Sequence, residues 1–455
     1  MNHYYKIFAL SAAVAGILTF SNPCSSQIMV RLAGTGFCGF SGDGGSALNA
    51  EICMPWGLAV DNSDNTYIGN WSENVIRKVS ATGIISTWAG SGSMSFSGDG
   101  GKADTAGIPA PWYLYFDKNQ NLFVNDGQVT YRKITPEGII TTVAGSDTAM
   151  NYQDGVPATS VFLGATSMVA DHAGNLYFAV GSFYAPPPGD TAHYFIRKVT
   201  TDGIINTLAG NGSSTASGIP AVNAHIANPI GMVIDGSDNI YFSTGFAINK
   251  IDKNGIISLY AGNGTDSSDG ATISNAAIFP TAMAFSPAGE LYFSEGYNSR
   301  IRKISTDGIV TTVVGTGVSG YSGDSVIARN SRIFTANDLA FDQKGNLYFD
   351  EEDGTEHFAM VFKVILEPAA VPQISKAGNY VISPNPSAGI FNLTSSQTIA
   401  DIKITISNCL GQIVYQNCSG TNTIIDLSAE PAGIYCARIS DEKGSILETQ
   451  KLVKQ

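Results

Sequence analysis

The chain of 455 residues predicts an all-β protein: a six-bladed β-propeller closed by an N-terminal strand, followed by a small Ig-like β-sandwich. Three observations carry that expectation. One motif returns at a steady spacing, each interval holds four short apolar segments, and near residue 367 this pattern gives way to a different one.

The returning motif is "IMVRLAG" (28–34), "GIISTWAG" (83–90), "GIITTVAG" (138–145), "GIINTLAG" (203–210), "GIISLYAG" (255–262) and "GIVTTVVG" (308–315), with steps of 56, 55, 65, 52 and 53 between the final glycines. A period of about 55 marks a stacked or radial repeat. The first unit shows the four segments as "WGLAVD" (56–61), "NTYIGN" (65–70), "NVIRKV" (74–79) and "GIISTW" (83–88). Short apolar runs bounded by Gly, Asn, Asp and Ser are strands, and four strands per unit make a propeller blade. The sixth unit stops after three, so residues 28–34 are expected to supply its fourth strand and remove an exposed edge.

Ahead of the repeats, Lys6, an apolar run from Ile7 to Phe20 and the small residues ending Cys24-Ser25-Ser26 read as a secretory signal peptide over 1–26. Its apolar run falls short of the roughly 20 residues that span a bilayer, so no transmembrane segment is expected in the mature chain. The propeller then covers 27–367, a Pro/Ala/Gly-rich linker 368–380, and the sandwich 381–455. Cys38 and Cys53 lie in one connection, where a bond between them would pin a loop.

A net charge of −13 repels polyanions, which excludes nucleic acid as a partner. The stretch "FSGDGG" (40–45, repeated at 96–101) has the glycine content of a phosphate cradle, yet a strand follows it where a phosphate site needs a helix. Its recurrence points to a turn device, in which Asp bonds backbone N–H groups and glycines take positive φ; a calcium loop is the alternative, and no other cofactor is indicated.

In a blade of this kind the start of strand one and the end of strand two share a face. On that face the sequence places Trp56, Trp112, Thr166, Ile230, Thr281 and Asn337, together with Asn70, Asp126, Val180, Thr244, Glu295 and Glu351, and with Trp71, Tyr297, Glu352 and Asp353 close behind on the same loops. Trp56, Trp112, Trp71, Asn70, Asp126, Tyr297, Glu295 and Glu351 are the candidate ligand-binding set. Either the tryptophans are stacking platforms beside polar contacts, or they plug the channel and the carboxylates are solvated. Asp126, Glu295 and Glu351 are candidate metal ligands because they occupy equivalent positions, against a bland reading as strand-end hydrogen bonds. The histidines share no repeat position, and no Gly-x-Ser-x-Gly is present. The Arg-Lys pairs at 77–78, 132–133, 197–198 and 302–303 are expected around the rim.

The units "AGTGFCGFSGDGGSALNAEICMPWGLAVDNSDNTYIGNWSENVIRKV" and "GYNSRIRKI" resemble NHL repeats, a six-bladed propeller family. Further on, "SPNPSAGIFNL" (383–393), "NCLGQIVY" (408–415), "AGIYCARI" (432–439) and "KLVK" (451–454) resemble the C-terminal sorting domain of type IX secretion substrates, through Pro384, Asn385, Pro386, Gly389, Gly411, Gly433, Tyr435, Lys451 and Lys454. That resemblance implies a partnership with the type IX machinery and a secreted or outer-membrane-surface location. The expected function is a non-catalytic binding module for a glycan, peptide or protein on the long-loop face. The alternative is a metal-assisted lyase or lactonase-type hydrolase.

Overall fold

The computed structural model describes residues 27–127, 130–149, 151–181, 194–353, 358–366, 380–395, 402–408, 413–419, 423–431, 433–440 and 446–454. The signal segment, most of the linker, the insertion at 182–193, His193, His357, Cys409 and Gly411 lie outside them.

Strands dominate, and the only helical pieces among the described residues are 3₁₀ turns of three residues. Six antiparallel sheets follow one another along residues 28–366. The first sheet is built from Pro55–Val60, Thr66–Asn70, Val75–Val79 and Ile85–Ala89. The sixth is built from Leu339–Phe341, Leu347–Glu352 and Ala359–Ile365, and Ile28–Ala33 pairs antiparallel with the last of these, Met29 opposite Val364. None of the sheets closes on itself.

Both faces of each sheet meet a neighbour, which explains second strands that are apolar throughout instead of alternating. Five buried clusters fill the spaces between consecutive sheets. The space between the sixth and the first is filled in the same way, by Tyr348, Val361 and Ala33 against Leu58, Ile68 and Ile85. First strands touch in sequence, and Leu339–Phe341 comes back against Pro55–Val60.

Each long connection lays a short stretch against the outer strand of the sheet it enters. Val156–Pro157, Ile219–Pro220, Ala271–Thr272 and Val326–Ile327 form two-residue fifth strands, and Ser46 and Lys102 make single bridges to Ile84 and Ile139. These caps cover the outer edge of every sheet. In the connection to the first sheet, Cys38 and Cys53 are disulfide-bonded across 15 residues. The turn between first and second strands repeats a side-chain clasp: Asp61 Oδ1 accepts from the Ser63 and Asn65 N–H groups, and its Oδ2 accepts from Asn65 Nδ2 and the Tyr67 hydroxyl. Asp171 and Asp235 repeat it.

The C-terminal region forms two sheets, one of Tyr380–Ser383, Ile390–Ser395 and Thr423–Asp426, the other of Ile402–Ser407, Ile413–Ser419, Gly433–Ser440 and Ile446–Lys454. Phe391, Leu393 and Ile425 of the first share one buried cluster with Ile404, Ile439 and Leu452 of the second.

Candidate functional site

The starts of the six first strands converge on a mostly apolar cavity of about 460 Å³, within the size range of small-ligand sites. Trp56, Trp112, Thr166, Ile230, Thr281 and Asn337 all line it, and Tyr297, 88% exposed, stands at its edge. Trp56 lies between Trp71 and Trp112, with ring centroids 5.4 and 6.1 Å away at tilts of 42° and 54°. Trp56 Nε1 is buried without a hydrogen-bond partner among the described residues, so the surface it gives the cavity is ring carbon. On the far side Tyr297 packs edge-on against Phe279, which packs against Phe246.

Several lining residues come in consecutive pairs, such as Trp112-Tyr113, Thr166-Ser167 and Asn337-Asp338. The first, second and third sheets have a register shift at the start of strand one, which lets neighbours share a face that ideal alternation would divide. Asp338, Tyr113, Met232 and Met283 are lining residues that the sequence reading missed, and Glu352, expected on this face, lines the cavity too. For Asp338 the signal is present in the repeats, since the equivalent residues are Gly57, Tyr113, Ser167, Gly231 and Ala282.

The strand-two carboxylates behave differently. Asp126 accepts from the Thr130 hydroxyl and lies 3.7 Å from the buried Arg132 guanidinium; burial pushes its carboxyl up to about 7. Glu295 accepts from the Phe279 N–H, pairs with Arg300 and sits 3.9 Å from Arg302. Among the described residues Glu351 accepts from the Phe334 N–H alone, at 3.2 Å, and its Oε1 has no hydrogen-bond partner; burial pushes it up to about 8. Asn70 is wholly buried at the same position of the first sheet. These residues stand in different sheets and secure the adjoining loops, and no three His, Cys, Asp or Glu converge at metal-binding distance among the described residues.

At the sixth sheet's inner end two more acids meet. The Asp338 N–H donates to Asp350 Oδ1 at 2.7 Å, while Asp338 accepts from the N–H groups of Leu339 and of Leu58 in the first sheet. Burial pushes Asp338 to about 7, and burial followed by the charge of Asp338 drives Asp350 well above the carboxylate range.

The "FSGDGG" loops have a role internal to each sheet. Asp43 pairs with Arg77 through Oδ1 at 2.6 Å and accepts from the Thr87 N–H through Oδ2; Phe40 lies 4.8 Å from the guanidinium. Asp99, Thr142 and Phe96 repeat the arrangement around Arg132. Arg77, Arg132, Arg197 and Arg302 are fully buried, which corrects their expected place on the rim: each third-strand arginine spans the sheet to reach the loop that caps it.

In the C-terminal region the motif residues hold the last strand. Asn385 Oδ1 accepts from the Val453 N–H at 2.8 Å, and Lys454 Nζ donates to the carbonyls of Ser428 and Glu430. Buried Tyr435 donates its hydroxyl to the Pro431 carbonyl. At Gly389, φ is +120°, and a Cβ would meet Ser428 Cα at 2.9 Å. Pro384 and Pro386 are exposed beside Asn385, and Gly433 and Lys451 lie on the paired strands 433–440 and 446–454.

Residues 381–455 match the family model described as the secretion system C-terminal sorting domain. Among curated proteins the chain is similar to Teneurin-m of Drosophila melanogaster, 24% identical over 273 residues, which is 56% of this chain and 10% of that protein. It is also similar to human Teneurin-4, 26% identical over 226 residues, 43% of this chain and 8% of that one. The chain thus spans only a small part of these relatives. Among solved structures it is similar in fold to a Bacteroides thetaiotaomicron protein of unknown function (16% identity, 74% of this chain and 75% of that one, TM-score 0.52). A Bacteroides ovatus auxiliary nutrient binding protein is similar to the same degree (15%, 74% and 76%, TM-score 0.52). No helix among the described residues is long and apolar enough to cross a membrane. The chain is therefore an all-β, propeller-like protein carrying a type IX secretion C-terminal sorting domain, which marks it as secreted or attached to the outer-membrane surface.

Proposed function

We propose that the six sheets are the blades of an NHL-type six-bladed propeller closed by residues 28–33, and that the exported protein is a non-catalytic binding module whose ligand occupies the long-loop face. One observation carries this reading: all six strand-one starts line a single, mostly apolar cavity rimmed by Trp56, Trp112 and Tyr297. Concave apolar sites with a few polar groups are where proteins hold ligands, and aromatic rings supply large contact areas there. A glycan, a peptide or a protein segment would each use such a face.

The lyase or lactonase alternative requires carboxylates that share an ion. Asp126 and Glu295 are instead engaged by arginines of their own sheets, and Glu351 faces the Phe334 N–H. Native mass spectrometry of the purified chain decides between the two readings. A stoichiometric ion lost on Glu351→Gln would replace the binding reading with the enzymatic one.

The direct test is capture on glycan and peptide arrays. Trp56→Ala and Trp112→Ala are expected to weaken whichever ligand binds by about tenfold or more, equivalent to about 1.4 kcal/mol. Binding that survives both changes would place the ligand elsewhere.

A further inference from the structure

Each first strand touches the next and the last touches the first, so across the cavity the first sheet faces the fourth and the second faces the fifth. The cavity thereby has two unlike walls. Trp56 and Trp112 stand on one, from the first and second sheets, while Met232 and Met283 stand on the other, from the fourth and fifth. The two methionines hold one repeat position, which Leu58, Leu114, Met168 and Leu339 fill in the other sheets, and of these six the two methionines line the cavity. Gly231 and Ala282, which precede them, are too small to cover them.

The polar groups of the lining are largely engaged by the protein itself. The hydroxyls of Tyr113, Thr166, Ser167 and Thr281 donate to the carbonyls of Met168, Ala179, Ile230 and Ser294. Both oxygens of Asp338 accept backbone N–H groups, from Leu58 and Leu339, and Glu352 has a partner of its own. Asn337 Nδ2 and Trp56 Nε1 are buried, and no Lys, Arg or His lines the cavity. What it offers a ligand is mainly indole carbon on one side and thioether on the other.

We propose that this cavity binds an aromatic ring, held between the indoles of Trp56 and Trp112 and the thioethers of Met232 and Met283. The proposal rests on the long-loop face being a binding surface, and names the chemistry that face selects. Both walls favour an aromatic ring over a saturated one of the same shape. Aromatic pairs gain from edge-to-face and offset contacts beyond the area they bury, and a thioether sulfur attracts an aromatic ring in addition to packing against it. A hydroxyl-rich ligand would give up its water for walls with few polar groups left to replace it, which is costly. An anion would find no base in the lining, and a cation would find the oxygens of Asp338 already taken. The same ring could arrive on a free small molecule or as a phenylalanine or tryptophan side chain of a peptide.

The test is isothermal titration calorimetry on the full mature chain with five probes: 2-naphthalenemethanol, its saturated counterpart decahydro-2-naphthalenemethanol, the peptide acetyl-Gly-Phe-Gly-amide, the same peptide with cyclohexylalanine in place of phenylalanine, and cellotetraose. The aromatic alcohol or the phenylalanine peptide binds, and its saturated counterpart binds about fivefold or more weakly. Met232→Leu and Met283→Leu keep the apolar volume but remove the sulfur. Each is expected to weaken the aromatic probe about threefold and leave the saturated one unchanged, whereas damage to the fold would weaken both. The alcohol alone binding assigns a free molecule; the peptide alone assigns a side chain. No binding of either aromatic probe, equal or tighter binding of the saturated ones, or an aromatic preference unchanged in both methionine variants overturns the proposal. Capture of cellotetraose or of an array ligand that is lost in Trp56→Ala would then keep the binding module while discarding the aromatic ligand. Capture indifferent to Trp56→Ala would discard both.

Discussion

Glu351 and Glu295 occupy the same position in neighbouring sheets, and replacing each by Gln is predicted to act in opposite directions. Glu351 is fully buried, faces no base among the described residues, and its carboxyl has been pushed from an ordinary 4.5 to about 8. Between those values the folded protein holds a proton that the unfolded chain has released. The stability this confers is complete below pH 4.5 and falls by about 1.4 kcal/mol per pH unit until it is lost above pH 8. From pH 5.5 to 7.5 the loss from this one group is about 2.5 kcal/mol. Glu351→Gln keeps the shape and an acceptor for the Phe334 N–H but has nothing to ionise, so it matches the parent below pH 4.5, is ahead of it by about 1.4 kcal/mol at pH 5.5, and by about 2.5 kcal/mol more at pH 7.5. Glu295→Gln instead removes the ion partner of Arg300 and leaves the buried Arg302 with Asp269 and two backbone carbonyls, at a cost of about 1–3 kcal/mol at neutral pH. All 4 tryptophans lie in the repeat region, so urea unfolding followed by their fluorescence reports on that region alone. Parallel pH curves for parent and Glu351→Gln, or a harmless Glu295→Gln, would refute this account of the inner acids.

Other consequences are equally direct. Asp43→Asn removes the charge that meets Arg77, whose side chain is fully buried although the Asp43 side chain is 45% exposed; it should cost about 1–3 kcal/mol in urea unfolding. Adding a chelator should leave that stability unchanged, because both Asp43 oxygens are already engaged by the protein, and a chelator-induced drop would revive the calcium reading. Deleting residues 381–455 should keep the protein inside the cell envelope, as cell fractionation would show, and passage of the truncated chain would remove the sorting role. Gly389→Ala should impair export in the same assay, since its Cβ collides with Ser428 and its φ is unfavourable for any residue with a side chain. Export at the normal level would show that this turn is dispensable.

Strand pattern was readable because a repeat states it six times. The segments "LYF" and "IRK" recur at fixed offsets, and the structure places them on second and third strands throughout. The face shared by the strand-one starts was readable for the same reason. Burial of Arg77 was not, because the residues that enclose it, Asp43 and Phe40, precede it by more than thirty positions and appear in the sequence only as a glycine-rich turn. Asp338 was missed through register. Strict alternation assigns Asn337 to the cavity and its neighbour to the wall, whereas the lining takes both in succession. The separate fates of Asp126, Glu295 and Glu351 also lay beyond the repeat pattern, because they depend on which side chain the third strand offers. Arg132 and Arg300 are ion partners, and Met360 is not.

The sixth sheet shows how that difference can be sustained. In the first, second, third and fifth sheets a third-strand arginine lies against the aspartate of the capping loop, so the sheet carries a buried cation whether or not its inner acids need one; the fourth sheet has Asn249 at that position. In the sixth, the corresponding Asp324 is met by Arg31 from the N-terminal strand, at 3.1 Å. The capping loop is thereby tied from the outer strand, and the third strand can place Phe362 where those four sheets place arginine. The inner acids lose a counter-ion as a result, while backbone N–H groups hold Asp338 and Asp350 in position. One of those donors, the Leu58 N–H, belongs to the first sheet, so the carboxylate that faces the cavity also joins the sixth sheet to the first. A strand contributed from the other end of the chain thus does more than cover an edge: it releases one sheet from the arginine lock and leaves an acidic wall at the mouth of the cavity.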